Sequence, residues 1–193
     1  MNLILASASP RRKQLLSEAG YTFEIVVAHT DESFPESLPA DEVPVYIARQ
    51  KALAVQEMIG PEVADPIIIA ADTVVILDEI IIGKPSDAAD AKAILQRLSG
   101  KTHRVVTGVY LLHAGMEKHF HSVTTVTFNP LTDAQIDYYI EQYKPFDKAG
   151  AYAIQEWIGL IGVAHINGDI YNVIGLPVNK LAIELGAWNI FPA

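Results

Sequence analysis

The stretch Pro66-Ile67-Ile68-Ile69-Ala70-Ala71-Asp72-Thr73-Val74-Val75-Ile76-Leu77 constrains the fold more than any other part of the chain. Its consecutive isoleucines show no polar–apolar alternation, so they read as a strand buried on both faces. Such strands sit in sheets covered by helices, which points to an α/β architecture. Asp72 ends the first apolar run, where open α/β sheets place ligand-binding groups. A carboxylate buried there is costly unless a cation pairs with it. A catalytic or metal-binding aspartate is therefore favoured over one that caps a turn.

The amino-terminal segment has the same logic. Leu3 to Ala6 reads as a short buried strand, followed by Ser7, Ser9, Pro10 and the cations Arg11, Arg12 and Lys13. Ser9 suits an N-cap and Pro10 the first helical position, where no N–H is required. Cations at a helix N-terminus oppose the macrodipole, but an anion seated there reverses the sign. The segment is a phosphate cradle or an ordinary capped helix, and by itself it does not separate the two.

The remaining pattern alternates helices and strands. A helix over residues 10–19 stops at Gly20, and a strand follows over 23–28. A polar loop, 29–39, holds Asp31, Glu32 and Glu36; for Asp31 and Glu36 a solvated face is the simplest account. The longest helix spans 41–59, where Lys51 shares a face with Ile47 and Val55. A lysine so placed snorkels outward or turns inward to meet an anion. Asp78-Glu79 reads as a hairpin tip returning through Ile80 to Ile82, and Gly83-Lys84-Pro85 presents a lysine on a turn.

An amphipathic helix is expected over 87–98, then long strands over 103–113 and 118–128 joined near Gly115. Thr132 to Gln135 has the form of a capping box. Residues 146–155 are neither helical nor strand-like. Two more strands turning at Asn167-Gly168 are expected, and Gly175-Leu176-Pro177 opens the last helix. The expected architecture is a mixed twisted sheet in two lobes with a central cleft, within a single domain covering residues 1–193.

Charge and composition exclude several functions. Lys and Arg number 14 against 23 Asp and Glu, a net charge of −9, which argues against nucleic-acid binding. A phosphate ligand fits only where the few cations concentrate. There is no cysteine, and the six histidines lack metal-ligand spacing, so no zinc site is expected. The apolar stretch 66–83 is broken by Asp72, Asp78 and Glu79, so it is not expected to enter a membrane. Residues 1–6 have no basic leader, and the expected location is cytoplasmic.

The chain resembles the Maf family of nucleoside triphosphate pyrophosphatases. The segments that carry the resemblance are Leu5-Ala6-Ser7-Ala8-Ser9-Pro10-Arg11-Arg12, Asp31-Glu32, Gln50-Lys51-Ala52 and Ala71-Asp72-Thr73. Further segments are Gly83-Lys84-Pro85, Leu98-Ser99-Gly100, Asp147-Lys148-Ala149-Gly150-Ala151-Tyr152 and Val173-Ile174-Gly175-Leu176-Pro177. They occur in the family's order and span nearly the whole chain. The resemblance implies a fold like that of inosine triphosphate pyrophosphatases, a divalent cation (Mg²⁺ or Mn²⁺) and a homodimer. The implied reaction cleaves a nucleoside triphosphate between the α- and β-phosphates, releasing the monophosphate and pyrophosphate.

Carried onto this chain, the resemblance implies Asp72, Glu32, Lys51 and Lys84 as catalytic residues. Ser7, Ser9, Arg11, Arg12, Thr73 and Gln155 would bind substrate, and Glu32 and Asp72 would hold the metal. Asp72 would be the general base, the holder of the metal that positions the water, or both. Arg11, Thr73 and Gln155 follow the pattern of members that cleave dTTP and UTP; members acting on 7-methyl-GTP carry tryptophan, glutamine and glutamate there. A Gln155 amide offers one N–H and its oxygen to a uracil or thymine edge, and turned over it also fits cytosine. The alternatives are a same-fold enzyme of purine or broader nucleotide preference and a nucleotide-binding regulator of cell division with little turnover.

One segment departs from the family. Its members usually read Tyr-Gly-Ile-Gln-Gly, whereas this chain has Tyr152-Ala153-Ile154-Gln155-Glu156. An alanine at 153 is strained if the backbone there needs positive φ. Glu156 is expected to bring a carboxylate beside the base pocket.

Overall fold

The structure is a computed structural model that describes residues 2–192, with the backbone alone for Glu62. Among these residues, seven strands form one mixed sheet in the order β2-β1-β3-β5-β6-β7, with β4 paired to β3. The strands are β1 (Asn2–Leu5), β2 (Glu24–Ile25), β3 (Pro66–Leu77), β4 (Ile80–Ile82), β5 (Thr102–His113), β6 (Met116–Phe128) and β7 (Val163–Asn167). The helices are α1 (Pro10–Glu18), α2 (Val43–Ile59), α3 (Ala88–Leu98), α4 (Asp133–Tyr143), α5 (Trp157–Gly162), α6 (Ile170–Ile174) and α7 (Val178–Gly186).

The isoleucine run behaves as its composition demands. Ile67, Ile68 and Ile69 are fully buried, and β1 lies parallel beside them with Leu3 opposite Ile67 and Leu5 opposite Ile69. The strand does not stop at Asp72; it continues through Thr73 to Leu77 and turns back at Asp78-Glu79, both at positive φ, into antiparallel β4. Ala114 and Gly115 make the corresponding turn between β5 and β6.

The chain divides into two compact units. The first comprises residues up to Asp72, Thr107–Ser122 and the chain from Gly175 on; the second comprises Thr73–Val106 and Val123–Ile174. The backbone passes between them inside β3, β5 and β6. Each has its own apolar cluster. In the first, α2 lays Ala48, Ala52 and Val55 against Ile4, Ile68 and Tyr110. Gly108 of β5 lets α2 approach: a Cβ there would meet Val45 N at 2.2 Å. In the second, α3 and α4 pack Leu95, Leu98, Ile136 and Tyr139 with Phe128, Tyr152 and Ile154.

Two expected elements differ. The strand over 23–28 is reduced to Glu24–Ile25, an exposed edge strand paired with β1. The hairpin at Asn167-Gly168 does not form. A two-residue hairpin turn of the Asn-Gly type needs positive φ at both positions, and of these two only Gly168 has it. Asn167 stays paired with Thr125 as the end of β7. The Thr124 hydroxyl then accepts from Asp169 N (3.1 Å) and donates to Asp169 O (2.9 Å). The Asp169 carboxylate takes the Tyr171 N–H at 2.8 Å, and the chain enters α6 instead of another strand.

Candidate active site

The β1–α1 turn is capped as its residues require. The Ser9 side chain accepts from Arg12 N, Pro10 opens α1, and Ser7 Oγ accepts the Ser9 N–H at 3.2 Å. Arg12 folds back over this turn. Its Nη1 donates to Ser7 Oγ at 3.3 Å and its Nε to Gly175 O at 2.8 Å, fixing the guanidinium from both sides. Desolvation pushes Arg12 below its ordinary pKa, while the charges of Asp72 and Glu32 pull it back and Arg11 adds to the depression. These charges therefore act on one another.

Lys51 is the centre of the group. The α2 stripe that packs into the first core carries it inward rather than letting it snorkel. Its Nζ lies 2.7 Å from Asp72 Oδ1 and 2.6 Å from Glu32 Oε1. The Lys51 and Asp72 side chains are only 16% and 14% exposed, so this is no solvated surface pair. Glu32 holds φ 54, a left-handed conformation that costs a non-glycine residue about 1–2 kcal/mol. Backbone strain of this kind clusters at functional sites.

The first unit thus gathers Ser7, Ser9, Arg11, Arg12, Glu32, Lys51 and Asp72. Three other expected site residues belong to the second unit. Thr73 follows Asp72 on β3 and is half-buried. Lys84 is exposed on its turn, whose Gly83 carbonyl accepts the Gly150 N–H at 3.0 Å. Gly150, at φ 70, packs so closely that a Cβ would lie 2.8 Å from Val75 Cγ2. Gln155 is exposed between buried Ile154 and half-buried Glu156.

Two residues that the sequence did not single out surround Glu156. Lys148 is buried, with Nζ 2.8 Å from Asp147 Oδ1 and 3.4 Å from Glu156 Oε1. Tyr139 donates its hydroxyl hydrogen to Glu156 Oε2 and accepts the Ala153 N–H at 3.1 Å. The Glu156 carboxylate is therefore engaged inside its own unit. Ala153 lies outside the left-handed region, so the feared strain at that position is absent; Ala151 carries the positive φ, 57. Lys148 lies in Asp147-Lys148-Ala149-Gly150-Ala151-Tyr152, where a cation ahead of small apolar residues is the sequence signal for its burial.

Among the described residues, no group of three or more His, Asp or Glu side chains is placed to hold a metal. Two carboxylates on one cation are the site's oxygen donors. No helix among the described residues is long and apolar enough to cross a membrane.

The family described as Maf-like protein matches residues 2–188. This chain belongs to the Maf family. Among its Maf relatives, the dTTP/UTP pyrophosphatase of Phocaeicola vulgatus is 52% identical over 95% of this chain and 94% of that protein. The dTTP/UTP pyrophosphatase of Cytophaga hutchinsonii is 48% identical over 95% and 83%. The Ham1 protein of Staphylococcus aureus superposes with a TM-score of 0.57 at 15% identity, covering 97% of this chain and 100% of that one. That last likeness is one of fold, and it agrees with the mixed-sheet α/β class expected from the sequence.

Proposed function

We propose that this Maf protein hydrolyses dTTP and UTP to the nucleoside monophosphate and pyrophosphate. The observation that carries the proposal is Lys51 held between Asp72 and Glu32 beside the Ser7–Arg12 turn. A triphosphate brings about four negative charges to a protein of net charge −9, so local cations have to receive it. Ser7, Ser9, Arg11 and Arg12 supply donors at the α1 terminus, and Lys51 and Lys84 supply ammoniums.

Asp72 accepts a proton from water as the water oxygen adds to the α-phosphorus. The bond from that phosphorus to the α–β bridging oxygen breaks, and pyrophosphate leaves with the electron pair. Lys51 orients the Asp72 carboxylate until substrate arrives. Glu32 and Asp72 fit a divalent cation, because hard oxygen donors already converge on one positive charge and Mg²⁺ needs only one or two carboxylates beside phosphates and water. When bound, such a cation offsets charge on the phosphates. Gln155, with Arg11 and Thr73, reads the base through an amide N–H and oxygen matched to uracil and thymine.

The two units are read as lobes of one domain, because three strands run from one into the other. In this reading the protein acts in the cytoplasm as a homodimer on free nucleotides, without nucleic acid or membrane. The test is product release from a panel of purine and pyrimidine triphosphates with Mg²⁺, with and without chelator. Pyrophosphate from dTTP and UTP, abolished by chelator, is the expected result. Orthophosphate as product, preference for purines, or binding without turnover overturns the proposal.

A further inference from the structure

Gln155 does not sit on a loose loop. Glu156 N donates to Ala153 O at 3.0 Å, so residues 153–156 form a tight turn with Gln155 at its third position. The turn rests on α5, whose Gly159 allows so close an approach that a Cβ would lie 1.7 Å from Ile154 O. Gly159 N in turn donates to Glu156 O at 2.9 Å. Both ends of the turn meet one atom. The Tyr139 hydroxyl accepts from Ala153 N and donates to the Glu156 carboxylate. Tyr139 is fully buried on α4, so that atom is a fixed point of the core. Lys148, 9% exposed, compensates the carboxylate from its other oxygen.

We propose that Glu156 and Tyr139 are positioning residues for substrate recognition: their hydrogen bond clasps the 153–156 turn and sets where the exposed Gln155 amide meets the base. This inference rests on the base-reading role given to Gln155 above. The clasp has a chemical direction. A tyrosine hydroxyl that receives the Ala153 N–H still has its own hydrogen to place, and a side-chain acceptor at 156 takes it. Glycine at 156 has no such acceptor, and the buried hydroxyl would then lose a partner and loosen the turn. Alanine at 153 acts in the same sense by narrowing the backbone freedom of the unclasped chain.

The experiment compares dTTP and UTP kinetics of wild type with Gln155→Ala, Glu156→Ala, Tyr139→Phe and Glu156→Gln. Gln155→Ala, Glu156→Ala and Tyr139→Phe are each expected to raise KM by about tenfold while kcat stays within about threefold. Glu156→Ala combined with Gln155→Ala should be no worse than Gln155→Ala alone, since both act through one amide. Glu156→Gln keeps an acceptor for Tyr139 and should stay near wild type. Amide exchange at Ala153 should quicken in Tyr139→Phe, which keeps the buried ring and carries the test if Glu156→Ala does not fold. If Gln155→Ala raises KM and neither Glu156→Ala nor Tyr139→Phe does, the clasp is overturned and the base-reading role survives. If Gln155→Ala leaves KM unchanged, the base-reading role itself fails.

Discussion

Lys51 in the first unit and Lys148 in the second both place an ammonium between two carboxylates, yet the surroundings differ in kind. The carboxylates on Lys51 come from a residue at left-handed φ, Glu32, and from Asp72 within a long strand. Those on Lys148 come from its neighbour Asp147 and from Glu156, whose second oxygen is taken by buried Tyr139. The first triad stores strain beside a turn rich in donors. The second spends its hydrogen bonds on holding a turn closed. Charge pattern alone does not distinguish the proposed reacting site from the proposed clasp; the residues around each ammonium do.

The largest expected effects lie in the first triad. Asp72→Asn should lower kcat for dTTP by about 10²-fold or more with little change in Tm, and near-normal turnover would remove Asp72 from the chemistry. Lys51→Met should lower kcat/KM comparably while shifting Tm by less than about 3 °C, because the Arg12 charge still acts on Asp72 and Glu32 and Glu32 is 40% exposed.

Lys148→Met should show the reverse. It leaves the Glu156 carboxylate, 22% exposed, without its cation, a loss of about 2 kcal/mol or about 4–8 °C in Tm. The kcat of the folded protein should stay within about threefold. Thermal scans and pyrophosphate release on both lysine variants decide the matter, and exchanged outcomes would break the comparison.

The smallest effect is proton-linked and belongs to the second unit. His103 is 2% exposed, with Nε2 2.7 Å from the Tyr152 hydroxyl, and burial lowers its pKa to about 4. The unfolded chain, with a histidine near the usual value of about 6.5, binds more protons between those limits. The stabilisation is complete above about pH 6.5 and is lost as pH falls toward 4. Urea unfolding at pH 7.5 and 5.5 should show wild type losing about 1 kcal/mol more than His103→Gln. Equal losses would mean that His103 does not titrate on unfolding.

The sequence by itself determined the elements whose signal is local. The isoleucine run, the Ser9-Pro10 start of α1, the Thr132–Gln135 capping box and the turns at Asp78-Glu79 and Gly115 all form where the chain pattern places them. Each depends on neighbours a few residues apart, so each is legible along the chain. Asp72 stood out by its position after an apolar run, whereas helical spacing left Lys51 free to snorkel outward and the family resemblance singled it out. Tertiary structure alone decided what these residues meet. Lys51 could face solvent or a charge, and only α2 packing on Gly108 of β5 brings it to Asp72, 21 residues on. Asn167-Gly168 could turn a hairpin, and β6 pairing with Thr124 hydrogen bonds sends it into α6 instead. Glu156 could border a base pocket, and Tyr139, 17 residues earlier on another element, claims it. Local propensity fixes backbone shape within a few residues, whereas a polar group's partner depends on which distant elements the core brings beside it.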